Sequence, residues 1–145
     1  MAYNQAFNAY KKTGVQTASR GKLVVMLYDE AVKQLTFALS NFVNNKVPPK
    51  NIEKLNANIL KSQEIITELM VSLDMTNGGS EIAKNLLSLY TYFNSELLDA
   101  NINHNKDKIS FVLSMMDELR GAWIQAEKTT STPVADMQHS INISG

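Results

Sequence analysis

The chain has 145 residues, no cysteine, and 14 Lys and Arg against 14 Asp and Glu. This is one domain's worth of chain, long enough to bury a core with no disulfide or metal staple. The lack of cysteine excludes disulfides, thiolate zinc sites, iron–sulfur clusters and a cysteine nucleophile, and it fits a reducing compartment. Zero net charge without a Lys/Arg cluster speaks against nucleic acid, whose phosphates demand a basic patch.

Met1 to Lys12 holds no uninterrupted apolar run and does not read as a secretory signal. The longest apolar run, Leu23 to Tyr28, is far short of the ~20 residues of a membrane span. A soluble, cytoplasmic protein is expected, with no membrane contact. Within the first twelve residues, Tyr3, Ala6, Phe7 and Tyr10 share one helical face before Gly14 breaks the pattern. A helix that short is marginal alone in water. Residues 1–14 therefore read either as a frayed terminus or as an arm that docks on an apolar groove.

Ser19 suits the N-cap of the first long helix, expected from Arg20 to Asn44, where Asn45-Lys46-Val47-Pro48-Pro49 stops it. Its stripe is Leu23, Leu27, Ala31, Leu35, Ala38 and Phe42. Val24, Tyr28 and Leu39 flank the stripe, and Val25, Met26 and Val32 widen it. That is more than the apolar face a one-sided helix needs. Such a helix is either the most central of a bundle or faces a second partner outside the chain.

The second helix has Asn51 as its expected cap and a heptad seam of Ile52, Leu55, Ile59, Ser62, Ile66, Leu69 and Leu73, with Ser62 the polar intrusion. Asp74 to Gly79 closes it, with paired glycines for the left-handed turn. The third helix starts near Ser80, with Ile82, Leu86, Leu89, Phe93, Leu97 and Ala100 as seam and Tyr90 and Leu98 beside it. Asn101 to Asn105 turns the chain. The fourth helix carries Ile109, Val112, Met116, Leu119, Trp123 and Ala126. Beyond Lys128 the periodicity is lost, and residues 129–145 read as a mobile polar tail.

Helices of roughly 20–25 residues span about 30–38 Å, and short connections make neighbours antiparallel. The expected fold is all-α: an antiparallel up-down-up-down four-helix bundle over residues 15–128, with a short N-terminal helical arm and a flexible C-terminal tail.

The search for chemistry finds none. The Glu-x-x-His pairs of a di-iron bundle are absent, as are His-Glu-x-x-His and a haem attachment motif. His104 and His139 fall in a turn and the tail and read as solvated. Glu64 and Glu68 stand one turn apart, and read as a solvated helix face. No nucleophile–base constellation or cofactor site emerges, so an enzyme is not expected. The apolar surplus remains, with Tyr28, Tyr90, Tyr92 and Trp123 and seven methionines. Core filler explains any one of them. The whole set, with an aromatic arm, favours a surface that accepts a partner's helices.

Several stretches resemble the flagellar secretion chaperone family FliS. They are Tyr10 with Val15-Gln16-Thr17-Ala18-Ser19, Met26-Leu27-Tyr28-Asp29-Glu30-Ala31, Glu68 to Gly79, Leu89-Tyr90-Thr91-Tyr92-Phe93 with Leu97 and Ala100-Asn101, and Leu119-Arg120-Gly121-Ala122-Trp123. In order, they cover the chain from about Tyr10 to Trp123. Arg20 stands where the family often has Pro, and Glu30 where it often has Gly. The resemblance implies an antiparallel four-helix bundle that binds the C-terminal region of flagellin in the cytoplasm, blocks its premature polymerisation and aids delivery to the flagellar export apparatus. Export-apparatus components are further implied partners, and the N-terminal arm is implied to occupy part of the same surface until displaced.

On that basis the expected partner surface comprises Tyr10, Val15, Thr17, Ala18, Leu23, Met26, Leu27 and Tyr28, with Leu69, Leu73, Leu89 and Tyr90 from neighbouring helices. Several of these could instead only hold the bundle together. A monomer or weak homodimer is expected. The residue pattern alone also allows an adaptor bundle for another helical partner, or a homo-oligomer that buries its own surplus.

Overall fold

The computed structural model describes residues 19–129, so the arm and the tail lie outside the described residues. Four helices fill that span: α1 (Arg20–Leu39), α2 (Ile52–Val71), α3 (Glu81–Asn103) and α4 (Lys106–Thr129). α1 packs on α2 and α4, α2 on α3, and α3 on α4, which closes a four-helix ring. The helices run alternately up and down, as the short connections dictate. Among the described residues no helix is long and apolar enough to cross a membrane.

The helix starts follow their chemistry. Ser19 accepts the Lys22 amide at 3.2 Å, and Ser80 accepts that of Ala83 at 3.1 Å, each satisfying an orphan donor of a first turn. Asn105 does the same for Lys108 at 3.2 Å. Asn51 is a correction. Its side chain caps nothing at α2; its Nδ2 donates to the Asn41 carbonyl at 3.1 Å, and a single 3-10 turn, Pro49–Asn51, leads into the helix.

A second correction concerns the end of α1, which stops at Leu39 rather than Asn44. Ser40 Oγ and Asn41 Nδ2 both donate to the Phe37 carbonyl, so side chains compete for the last turn's acceptors. Asn44 and Asn45 then both take left-handed backbone angles (φ 51° and 65°). They form a two-residue reversal closed by Val43–Lys46 amide bonds of 2.7 and 3.1 Å. Asn tolerates that region better than most residues. The α2–α3 turn behaves as expected: Gly78 and Gly79 lie at φ +86° and +83°.

The seams form the core. Leu35, Ala38, Leu55, Ile59, Ile66, Phe93, Leu97, Ala100, Ile109 and Val112 are sealed from solvent. Ser62 is buried among them and donates to the Asn58 carbonyl at 2.9 Å, so its hydroxyl is satisfied within its own helix. α1 has the most extensive packing of the four, and its flanking Val24 and Tyr28 are inside the core. Much of its apolar surplus thus reflects its central position. Leu98 departs from the expected seam and is exposed on the outside of α3.

Candidate partner-binding surface

The ring closes unequally along its length. In the half that holds the α3–α4 turn, the seam residues Leu35, Ala38, Leu55, Ile59, Leu97, Ala100 and Ile109 are fully covered, and only Phe42 and Ile52 at its tip are not. In the other half the start of α1, the end of α2, the start of α3 and the end of α4 come together. There the seam residues Leu23, Leu73, Ile82, Leu89, Leu119 and Trp123 are only half-buried. All the fully buried residues of α4 lie at or before Met116. The apolar pattern of α4 continues past the point where its partners cover it.

Polar contacts frame this half. Arg20 reaches across from α1 and donates to the Ser72 carbonyl at 3.1 Å, which ties α1 to α2. Arg120 of α4 pairs with Asp29 of α1, and that hydrogen bond holds the guanidinium above its ordinary range. Both groups are well exposed, so the pair orients more than it stabilises. Glu30 accepts from Gln34 at 3.0 Å and lies near Lys33, a local arrangement along α1. Asp74 is held below the usual carboxylate range by the Thr76 hydroxyl and amide.

The expected contact residues fall into three groups. Tyr10, Val15, Thr17 and Ala18 lie outside the described residues. Leu23, Met26, Leu73 and Leu89 are half-buried and lie in the half-open end. Leu27, Tyr28, Leu69 and Tyr90 are at most 1% exposed. This corrects their reading as contact surface: they are core side chains and offer a partner no area of their own. Tyr28 and Tyr90 share a hydrogen bond across the bundle, with ring centroids 6.4 Å apart. One phenol donates to the other in a dry interior, and the Trp123 indole also bonds the Tyr28 hydroxyl. Burial pushes Tyr28 up to about 12, with the Tyr90 hydroxyl opposing, and pushes Tyr90 higher still. Both stay neutral at any working pH. Tyr92, by contrast, is exposed and stands edge-on to Phe111 at 6.1 Å.

One residue read as solvated is not. Glu68 is 2% exposed, and its Oε1 has no hydrogen-bond partner among the described residues. Burial raises its carboxyl above the usual range. The flank of α2 toward α1 is marked by Asn58, which bonds Gln34 and Asn41, and by the Ser72 carbonyl, which takes Arg20. Glu68 sits one turn before Ser72, three residues past the buried Ile65. That spacing was the available signal, but the seam alone placed Glu68 outside the core. Among the described residues there is no group of three or more acidic or histidine side chains suited to a metal. The surface can cover apolar groups and accept hydrogen bonds.

Comparison with known proteins agrees with that capacity. The profile described as "Flagellar protein FliS" matches residues 3–130. This chain belongs to the FliS family. It is 31% identical over 126 residues to the flagellar secretion chaperone FliS of Bacillus subtilis (strain 168), covering 87% of this chain and 89% of that protein. It is 33% identical over 130 residues to the FliS of Salmonella typhimurium, covering 89% and 88%, and 32% identical over 123 residues to that of Campylobacter jejuni, covering 85% and 91%. As a FliS protein it is a flagellar export chaperone and not an enzyme, and its substrate is a protein of the flagellar system.

Proposed function

We propose that this FliS protein binds the C-terminal region of flagellin in the cytoplasm, blocks its premature polymerisation and aids its delivery to the export apparatus. The observation that carries this reading is the half-covered apolar seam beside the start of α1, in a chain of this family. A flagellin terminus that is disordered when free and apolar when folded must be ordered on binding. Apolar area covered at roughly 25 cal/mol per Å² offsets that cost. Leu23, Met26, Leu73 and Leu89 supply such area, with Trp123 adding a ring. Tyr10, Val15, Thr17 and Ala18 extend the surface along the lead-in, and the N-terminal arm competes for part of it. Covering the guest's apolar face is enough to stop self-association, with no chemical step.

The test is retention of a flagellin C-terminal fragment by the full chain in a pull-down, with the free protein's mass followed by light scattering. Retention by a monomer, or by a weakly associating dimer, is expected. A chain that ignores the fragment, or that seals its half-open end in a tight homo-oligomer, refutes the reading.

A further inference from the structure

The half-open end has two sides. Leu23 and Leu73 lie on the side of α1 and α2, and Ile82, Leu89, Leu119 and Trp123 on the side of α3 and α4, all of them only partly covered. Apolar surface that water still reaches is stabilised by whatever covers it. α4 ends at this surface, at Thr129. The chain that follows therefore starts at its rim, six positions past Trp123, or about 9 Å along the helix. The lead-in to α1 arrives at Ser19, beside Leu23, so the two flanking segments reach the opening from different helices.

Residues 130–145 have the length and composition to cover the α3–α4 side. These sixteen residues can span about 50 Å when extended. Returning from Thr129 to the level of Leu119 takes about 15 Å, and crossing from α4 to α3 about 10 Å more. Pro133 lacks the amide that would bond the Thr129 carbonyl, so it cannot prolong α4 unbroken. Asp136 is the segment's only Asp, Glu, Lys or Arg, whereas a stretch that stays in water is typically rich in net charge. Val134, Met137, Ile141 and Ile143 give it a large apolar side chain every two to four positions. Its tether to α4 also holds it near the surface at an effective concentration no separate chain has.

We propose that residues 130–145 fold back over the α3–α4 side of the half-open end, laying their apolar side chains on Leu89, Leu119 and Trp123, and that a guest must lift them to use that side. The seat is read without a guest; the competition rests on the flagellin reading above. Guest affinity is then lowered by the fraction of molecules whose seat is open.

The experiment keeps the full chain and changes only the tail, with Val134→Ser, Met137→Ser, Ile141→Ser and Ile143→Ser together. Trp123 is the only tryptophan, so its emission reports on the seat alone. Without fragment, acrylamide should quench Trp123 more steeply in the substituted chain. Unchanged quenching overturns the seat, whatever the fragment does. A tail seated in about two-thirds to nine-tenths of molecules should, when disabled, tighten binding of a flagellin C-terminal fragment about three- to ten-fold. A second measurement locates the tail directly. The chain has no cysteine, so a nitroxide on Met137→Cys is unique. It should quench Trp123 more than the same label on Ser110→Cys, an exposed position toward the α3–α4 turn, and the fragment should relieve the difference. Equal emission from the two labelled chains refutes the seat. Steeper acrylamide quenching with unchanged or weaker fragment binding overturns the competition, because the tail then gates nothing. If the unsubstituted chain ignores the fragment while both quenching results hold, the flagellin reading falls and the seat stands.

Discussion

Replacing Tyr28 by Phe removes one hydroxyl from a sealed pair. Tyr28 and Tyr90 are 0% and 1% exposed, and their hydroxyls bond each other. The Phe ring fills the same space, so packing is kept and only the hydroxyl's hydrogen bonds, to Tyr90 and to the Trp123 indole, are lost. The Tyr90 hydroxyl is then stranded in the interior. Such a group costs about 1–3 kcal/mol. For a domain of this size that is a fall of about 4–12 °C in melting temperature. The double variant Tyr28→Phe with Tyr90→Phe strands no phenol and costs only the contact of the half-buried Trp123 indole with the Tyr28 hydroxyl, so it should recover much of the loss. Circular-dichroism melts and urea titrations of the two single variants and the double give the cycle. Since the pair lies inside the wall, affinity for the flagellin fragment per folded molecule should stay within about two-fold, well under 1 kcal/mol. Additive losses in the double variant, or an affinity that drops with the hydroxyl while the fold is intact, would refute both the pairing and the interior assignment.

Leu23→Ala, at the half-covered seam, should weaken fragment binding by roughly five- to thirty-fold, the worth of about 1–2 kcal/mol of apolar contact. Ile102→Ala, at a residue 69% exposed at the far end of α3, serves as control and should leave binding unchanged; equal effects by titration calorimetry would dismiss the half-open end as the site. Gly79→Ala should destabilise more than Gly78→Ala. Both sit at positive φ, but Gly79 pairs φ 83° with ψ 159°, a region essentially confined to glycine, and a Cβ there would also have to displace the end of the Met75 side chain, whereas at Gly78 it meets nothing; the ranking is read from urea midpoints. Because burial raises the Glu68 carboxyl above 4.5, the folded state holds its proton more tightly than the unfolded state. Its contribution to stability therefore declines as pH rises from the unfolded value through the folded one. Glu68→Met, which removes the buried carboxyl, should accordingly raise the melting temperature more at pH 7 than near pH 4, and an advantage independent of pH would contradict this. Deleting Met1 to Lys12 should strengthen fragment binding if the arm competes for the surface, and unchanged or weaker binding counts against competition.

Some of this protein is written in local chemistry, which a sequence displays directly. The four helices, the Ser19 and Ser80 caps and the left-handed Gly78-Gly79 turn depend on residues within one turn of each other. So does the helical seam of each element, because a 3.6-residue repeat puts those side chains on one face whatever lies opposite. The stretches that resemble the FliS family were equally legible.

What the periodicity could not state is how far the neighbouring helices reach over each face. Tyr28 and Tyr90, and likewise Leu27 and Leu69, carry the same apolar signal whether covered by the ring or offered to a guest. Only the register between α1 and α3 brings the two phenols together and seals them. The end of α1 was decided by side chains competing for its last carbonyls and by an Asn-Asn reversal that a helix count does not see. Glu68 is the sharpest case. By spacing it is a charge just off the seam; in three dimensions it is shut from water. Burial is a property of what stands opposite, and that is set by the packing of residues dozens of positions apart.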